Sequence, residues 1–222
     1  MHLTEPRGRG RHSRPLRAVV LCGILLAGPA WAGEAVPSAS VRQNLYATCF
    51  VSESAGFAVG DLGRIFHTTD AAESWEIRTA GTKQPFVAAS CIDANTAYIA
   101  GQGGQIARTS DAGATWQMLK SGSERQLLDI EFVDAKTGIA VGDAGTILRT
   151  EDGGATWTRV AVPADTQLPE EYFGIVEPSD IVLYAVSWGS PESVTIVAEF
   201  GVVLHSNDGG RSFQSQPSNV DK

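Results

Sequence analysis

Charge is scarce in this chain of 222 residues: only 19% are Asp, Glu, Lys or Arg, and 17 basic residues face 25 acidic ones. Five of the basic residues (Arg7, Arg9, Arg11, Arg14, Arg17) lie within the first 32 positions, against Glu5 alone. The remaining 190 residues therefore carry 12 basic and 24 acidic side chains, a net charge of −12. A surface that acidic has no electrostatic footprint for nucleic acid or an anionic membrane, so DNA and RNA are excluded as partners. Long apolar runs are also missing: the stretch Ala18 to Gly28 holds 11 residues, short of the ~20 that cross hydrocarbon. No helical period runs through the residues after it, and no calcium-loop pattern of clustered oxygen ligands occurs, so neither a metal nor a cofactor is expected. Cysteines number three. Against these absences, a 43% apolar share is enough for a globular core and leaves disorder only for the ends.

The basic opening, the apolar stretch and then Ala30-Trp31-Ala32 before Gly33 make the pattern of a secretory signal peptide over residues 1–32. No adjacent Arg pair is present, which favours the general secretory route. Cys22 belongs to this leader. The expected mature chain begins near Gly33 with a short N-terminal segment, 33–44, and works in an oxidising periplasmic or extracellular space.

One pattern returns four times: TTDAAESW from Thr68 to Trp75, TSDAGATW from Thr109 to Trp116, TEDGGATW from Thr150 to Trp157, and SNDGGRSF from Ser206 to Phe213. The closing aromatics are spaced by 41, 41 and 56 residues. Upstream, Gly60, Gly101, Gly142 and Ala198 form one column and Gly63, Gly104, Gly145 and Gly201 another. Phe50, Cys91, Phe132 and Trp188 form a third, and Leu45, Phe86, Leu127 and Leu183 a fourth. Each unit reads as four short strands, as in Leu127 to Val133, Gly138 to Val141, Thr146 to Arg149 and Trp157 to Val160. Such strands bury nothing alone. Repeats of 40 to 50 residues that stack as four-stranded blades predict an all-β fold, a β-propeller of about four blades, over 45–218. The units fall near 45–80, 86–122, 127–162 and 183–218, with an insertion within 158–182.

The eight-residue pattern has a local mechanism. The carboxylates of Asp70, Asp111, Asp152 and Asp208 and the hydroxyls of Thr68, Thr109, Thr150 and Ser206 accept backbone N–H groups of their own turn. Gly113, Gly154 and Gly210 supply a backbone angle other residues avoid. Trp75, Trp116, Trp157 and Phe213 then cover it. Ala72 stands where the other units have Gly, and Phe213 where they have Trp, so those two turns are expected to be less well formed.

These residues resemble the Asp-box, or bacterial neuraminidase repeat. The longer run LLDIEFVDAKTGIAVGDAGTILRTEDGGATW, Leu127 to Trp157, is similar to the repeat of the photosystem II stability and assembly factor family, and the likeness covers nearly all of 45–213. It implies an extracytoplasmic, non-enzymatic propeller that holds a protein client during assembly of a membrane complex. Similar repeats also serve other envelope complexes. Sialidases share the same box, so a sialidase-like glycoside hydrolase or a carbohydrate-binding propeller is the alternative. No Arg-Ile-Pro segment of the sialidase kind precedes the first box, and no catalytic residue is assigned.

His67, Arg108, Arg149 and His205 directly precede the four boxes. A basic column in an acidic protein is either a cationic track for an acidic partner segment or a set of side chains paired into the neighbouring blade; the second reading is preferred. Tyr172 and Phe173, in the Pro-rich insertion, are either interface anchors or aromatics tucked against a blade. Asp61 and Asp143, with Gln102 at the same place in the second unit, suit turn-capping better than metal binding. Asp129 with Glu131 and Glu170 with Glu171 read as solvated faces. Cys49 and Cys91 occupy adjacent columns that point to opposite faces, so no disulfide is expected. The four units close with help from 34–44, remain an open arc, or pair as a homodimer into a larger ring.

Overall fold

A computed structural model describes residues 35–37, 42–172 and 174–216 of the chain. The expected signal segment and Phe173 lie outside them. Four antiparallel sheets follow one another along the chain. The first holds β2 (Leu45–Phe50), β3 (Gly56–Gly60), β4 (Arg64–Thr68) and β5 (Ser74–Thr79), the second β6 (Phe86–Cys91), β7 (Ala97–Gly101), β8 (Ile106–Thr109) and β9 (Gln117–Leu119). The third holds β10 (Leu127–Phe132), β11 (Gly138–Gly142), β12 (Thr146–Thr150) and β13 (Thr158–Val160). The fourth holds β14 (Leu183–Trp188), β15 (Val194–Ala198), β16 (Val203–Ser206) and β17 (Gln214–Gln216). A further strand, β1 (Ala35–Pro37), pairs with β5 at the outer edge of the first sheet, with Val36 opposite Trp75. This stretch of the 34–44 segment thus widens the first blade and does not complete the last one.

The core lies between blades. Phe57, Val59 and Ile65 of the first blade meet Phe86, Ile99 and Ala107 of the second. Tyr98, Ala100 and Ile106 of the second meet Leu127, Ile130 and Leu148 of the third. Ile139, Val141 and Ile147 of the third meet Leu183, Ile196 and Leu204 of the fourth. β2, β6, β10 and β14 are the innermost strands, each packed on the next. Among the described residues no comparable seam joins the fourth blade to the first, so the blades form an open arc.

Cys49 and Cys91 are joined by a disulfide, with Cα atoms 5.6 Å apart, which overturns the expectation of free thiols. Alternation places them on opposite faces, but that rule disqualifies a pair only within one sheet. Between stacked blades the forward face of one meets the rear face of the next, so opposite faces are what a cross-link needs. The same step recurs at the other seams: the Phe132 amide donates to Ser90 Oγ (3.2 Å), and the Trp188 amide donates to Glu131 Oε2 (3.2 Å). Asp129 Oδ2 accepts from the Val186 amide at 2.9 Å. Asp129 and Glu131 are therefore seam acceptors and not a solvated face. Burial pushes both carboxyls above their ordinary values, with the accepted amide N–H groups opposing the shift.

The first glycine column is explained by backbone proximity. A Cβ on Gly60, Gly101 or Gly142 would lie 1.9, 2.2 or 2.0 Å from the carbonyl oxygen of Asn44, Pro85 or Gln126, which no side chain tolerates. At Ala198 the backbone differs, with φ −138° against −170° at Gly60 and −179° at Gly101.

Candidate functional site

The four fastening turns are alike. The hydroxyls of Thr68, Thr109, Thr150 and Ser206 donate to Oδ1 of Asp70, Asp111, Asp152 and Asp208 at 2.7 to 2.8 Å. Each aspartate accepts a further hydroxyl at 2.6 Å, from Ser74, Thr115, Thr156 and Ser212 in turn, residues that the pattern of columns does not single out. Those hydroxyl bonds, Ser74 first, hold the Asp70 carboxyl at about 2, and Thr156 and Ser212 likewise hold Asp152 and Asp208 below the carboxylate range.

The two turns expected to be weaker are formed as fully as the others, because the glycine is needed for clearance more than for hydrogen bonding. A Cβ on Gly113 would meet Phe57 Cε1 at 2.4 Å, one on Gly154 would meet Leu119 Cδ1 at 2.7 Å, and one on Gly210 would meet Ile139 Cδ1 at 2.3 Å. These neighbours all belong to the preceding blade. Ala72 has no preceding blade among the described residues; it adopts φ +68°, packs on the cluster of Ala58, Phe66 and Trp75, and its amide donates to Thr68 Oγ1 at 3.0 Å. Phe213 fills the position of the tryptophans, buried in the third seam.

The four residues of the basic column have different partners. His67 is half-buried and stacked on Phe57, ring centres 4.9 Å apart, and burial, with Arg78 adding, holds its imidazole below the ordinary value. The Arg108 guanidinium lies 5.7 Å from the ring centre of Tyr98, whose hydroxyl donates to Gly153 O of the next blade. Arg149 is buried, donating from Nε to Gly209 O at 2.6 Å and pairing with Glu151 at 2.7 Å. His205 lies near Thr195 Oγ1 (3.2 Å) and Asn207 Oδ1 (3.0 Å). Arg149 does line an outer groove of about 410 Å³ between the third and fourth blades, with Arg159, Arg211 and Glu151. In the insertion, Tyr172 rests on Phe200, ring centres 4.2 Å apart, and Leu168 and Ile181 are buried.

A different column reaches the centre of the arc. Each innermost strand holds one residue that the ladder skips: Tyr46 between Leu45 and Ala47, Val87 between Phe86 and Ala88, Leu128 between Leu127 and Asp129, and Tyr184 between Leu183 and Ala185. A β-bulge re-aims its side chain. All four line one cleft of about 560 Å³, together with Pro85, Gln102 and Gln126, and Tyr46 and Tyr184 are 49% and 52% exposed. The Tyr46 hydroxyl donates to Asp61 Oδ1, and Asn44 Nδ2 to Asp61 Oδ2, both at 2.8 Å, so Asp61 braces the cleft wall. A wall of tyrosine and aliphatic side chains with the amide groups of Gln102 and Gln126 is suited to holding a ligand.

The family model for the photosynthesis system II assembly factor YCF48 matches residues 29–125 and 115–221. Among solved structures, YCF48 bound to D1 peptide is 16% identical with a TM-score of 0.51, covering 85% of this chain and 86% of that one. YCF48 from Cyanidioschyzon merolae is 20% identical with a TM-score of 0.62, covering 86% of this chain and 61% of that one. A GH74 xyloglucanase from Xanthomonas campestris is 16% identical with a TM-score of 0.59, covering 79% of this chain but 31% of its own. No curated protein sequence matches. At these identities the structures establish the propeller fold alone.

Proposed function

Since the chain belongs to the photosystem II assembly factor YCF48 family, we propose that it is an exported, non-enzymatic scaffold that holds a segment of a protein client during assembly of a membrane or envelope complex. The observation that carries this reading is the open cleft to which all four blades contribute one bulged side chain. Open clefts lined by tyrosine and aliphatic side chains favour protein segments, because aromatic rings give large contact area at small cost in side-chain freedom. The YCF48 structure with a bound D1 peptide supports a peptide as the kind of ligand.

The test is site-specific photo-crosslinking from position 184 in the intact cell envelope, followed by mass spectrometry. A discrete adduct with one envelope protein is expected, and it disappears when the crosslinker is moved to exposed Glu53 on the first blade. No adduct, or an equal spread of adducts from both positions, overturns the proposal. Export is tested by sequencing the N-terminus of the protein recovered from the periplasm, expected at Gly33. The GH74 likeness and the two tyrosines also suit a sugar-binding cleft. Turnover of a fluorogenic sialoside or of xyloglucan that survives purification and is lost in Tyr184→Ser would replace the scaffold reading by that one.

A further inference from the structure

The cleft has a rim as well as a wall. Beyond β3, β7, β11 and β15 the chain makes a tight turn, and the first residues of those turns are Asp61, Gln102, Asp143 and Glu199. Each donates its amide to the carbonyl that precedes the next inward strand of its own blade: Asp61 to Asn44 (3.1 Å), Gln102 to Pro85 (3.1 Å), Asp143 to Gln126 (3.0 Å) and Glu199 to Val182 (2.9 Å). The four thus hold equivalent places next to the cleft wall: Gln102 is part of the lining, Asp61 bonds the lining Tyr46, Asp143 bonds the lining Gln126, and Glu199 bonds Val182, two residues before the lining Tyr184. Three are carboxylates. Asp61 is engaged by Tyr46 and Asn44, and Glu199 Oε2 accepts from the Val182 amide at 2.9 Å. Asp143 makes no side-chain hydrogen bond among the described residues.

We infer that the cleft takes an extended segment of a partner protein in which apolar residues alternate with lysine or arginine. The inference rests on the scaffold reading above and adds the chemistry of its ligand. Apolar side chains fill the space between Tyr46, Val87, Leu128 and Tyr184, and the neighbouring cationic side chains meet the rim carboxylates and the exposed tyrosine faces. Charge sets the sign of the ligand: an acidic segment would bring its carboxylates against Asp61, Asp143 and Glu199 in a chain whose net charge is already −8. A space of about 560 Å³ receives a few side chains of a segment and not a folded domain. The four bulges sit at equivalent places on four strands, so a ligand crossing the arc meets one contact per blade.

The experiment uses fluorescein-labelled octapeptides on one scaffold, alternating Val with Lys, Val with Glu, Val with Ser, and Ser with Lys, titrated by fluorescence polarisation against the full protein. The Val-Lys peptide is expected to bind at least about tenfold more tightly than the Val-Glu and Ser-Lys peptides. Tyr184→Ser and Leu128→Ser, each checked for an unchanged melting curve, lower that affinity about tenfold. Asp143→Asn weakens the Val-Lys peptide several-fold and leaves the Val-Ser peptide unchanged, with the difference vanishing at high salt. Equal binding of Val-Lys and Val-Glu, or affinity indifferent to Tyr184→Ser and Leu128→Ser in folded protein, overturns the inference. If crosslinking from position 184 captures a client through an acidic segment, the scaffold reading stands and this inference falls. If the Val-Lys peptide binds as described but no envelope protein is captured, the scaffold reading falls.

Discussion

Replacing both Cys49 and Cys91 by alanine tests the account of how blades are stacked. The bond links residues 42 apart in sequence. Treating its effect as lost freedom of the unfolded chain, a loop of that length corresponds to about 13 cal/mol/K, or about 4 kcal/mol at 25 °C. For a cooperative domain of this size each kcal/mol moves the melting temperature by about 2–4 °C, so a fall of roughly 8–16 °C is expected. The arc is a repeat in which each blade meets only its neighbours, so the loss is concentrated at the first seam. Differential scanning calorimetry of the native protein and the double variant measures the shift, and hydrogen exchange by mass spectrometry locates it. Faster exchange is expected in β2 to β5, with β14 to β16 unchanged. A melting temperature within about 2 °C of the native protein, or loss spread evenly over four blades, would refute the reasoning. Recovery of Cys49 and Cys91 as free thiols from unreduced denatured protein would refute the bond itself.

The clearance role of the box glycine predicts a contrast: Gly210→Ala, which meets Ile139 and holds φ +76°, costs about 2–4 kcal/mol, whereas Ala72→Gly changes stability by no more than about 1 kcal/mol, both read from urea unfolding. Arg149→Met leaves the buried Gly209 carbonyl without its donor and costs about 1–3 kcal/mol, measured the same way. The pH dependence has two limbs of opposite sign. Asp70 is held at about 2 in the fold, so its contribution is complete above the ordinary carboxylate range and is lost as pH falls through about 2. Asp129 and Glu131 are held above their ordinary values, so the cost of burying their charge is present at neutral pH and is relieved as pH falls toward the carboxylate range. Melting temperature therefore rises on mild acidification and then falls, and Glu131→Gln flattens the upper limb.

The blades were legible because the repeat keeps register: Leu127–Phe132, Gly138–Gly142 and Thr146–Thr150 begin where the pattern placed them. The seam partners were not, because parity along a strand says which face a residue takes, and only the stacking direction says what that face meets. Cys49 and Cys91, Ser90 and Phe132, and Glu131 and Trp188 are three cases of one offset that needs the arc to be visible. The cleft was hidden for another reason. Tyr46, Val87, Leu128 and Tyr184 look like ordinary strand residues next to the conspicuous column of Leu45, Phe86, Leu127 and Leu183, and nothing in their identity announces a skipped ladder position. Four aromatic or aliphatic residues in one column was the available signal. The basic column drew notice because it was chemically unusual, yet Arg149 and His67 are largely spent on packing and pairing inside the seams.

The three seams differ in what would have to give for the jaws of the arc to spread. Parting the first pair of inner strands strains covalent sulfur chemistry, while the second and third pairs are spanned at the same offset by a hydroxyl and by a carboxylate with an indole. The strands that carry Tyr46 and Val87 are thus tied by a covalent bond, whereas those that carry Leu128 and Tyr184 are held by hydrogen bonds and packing alone.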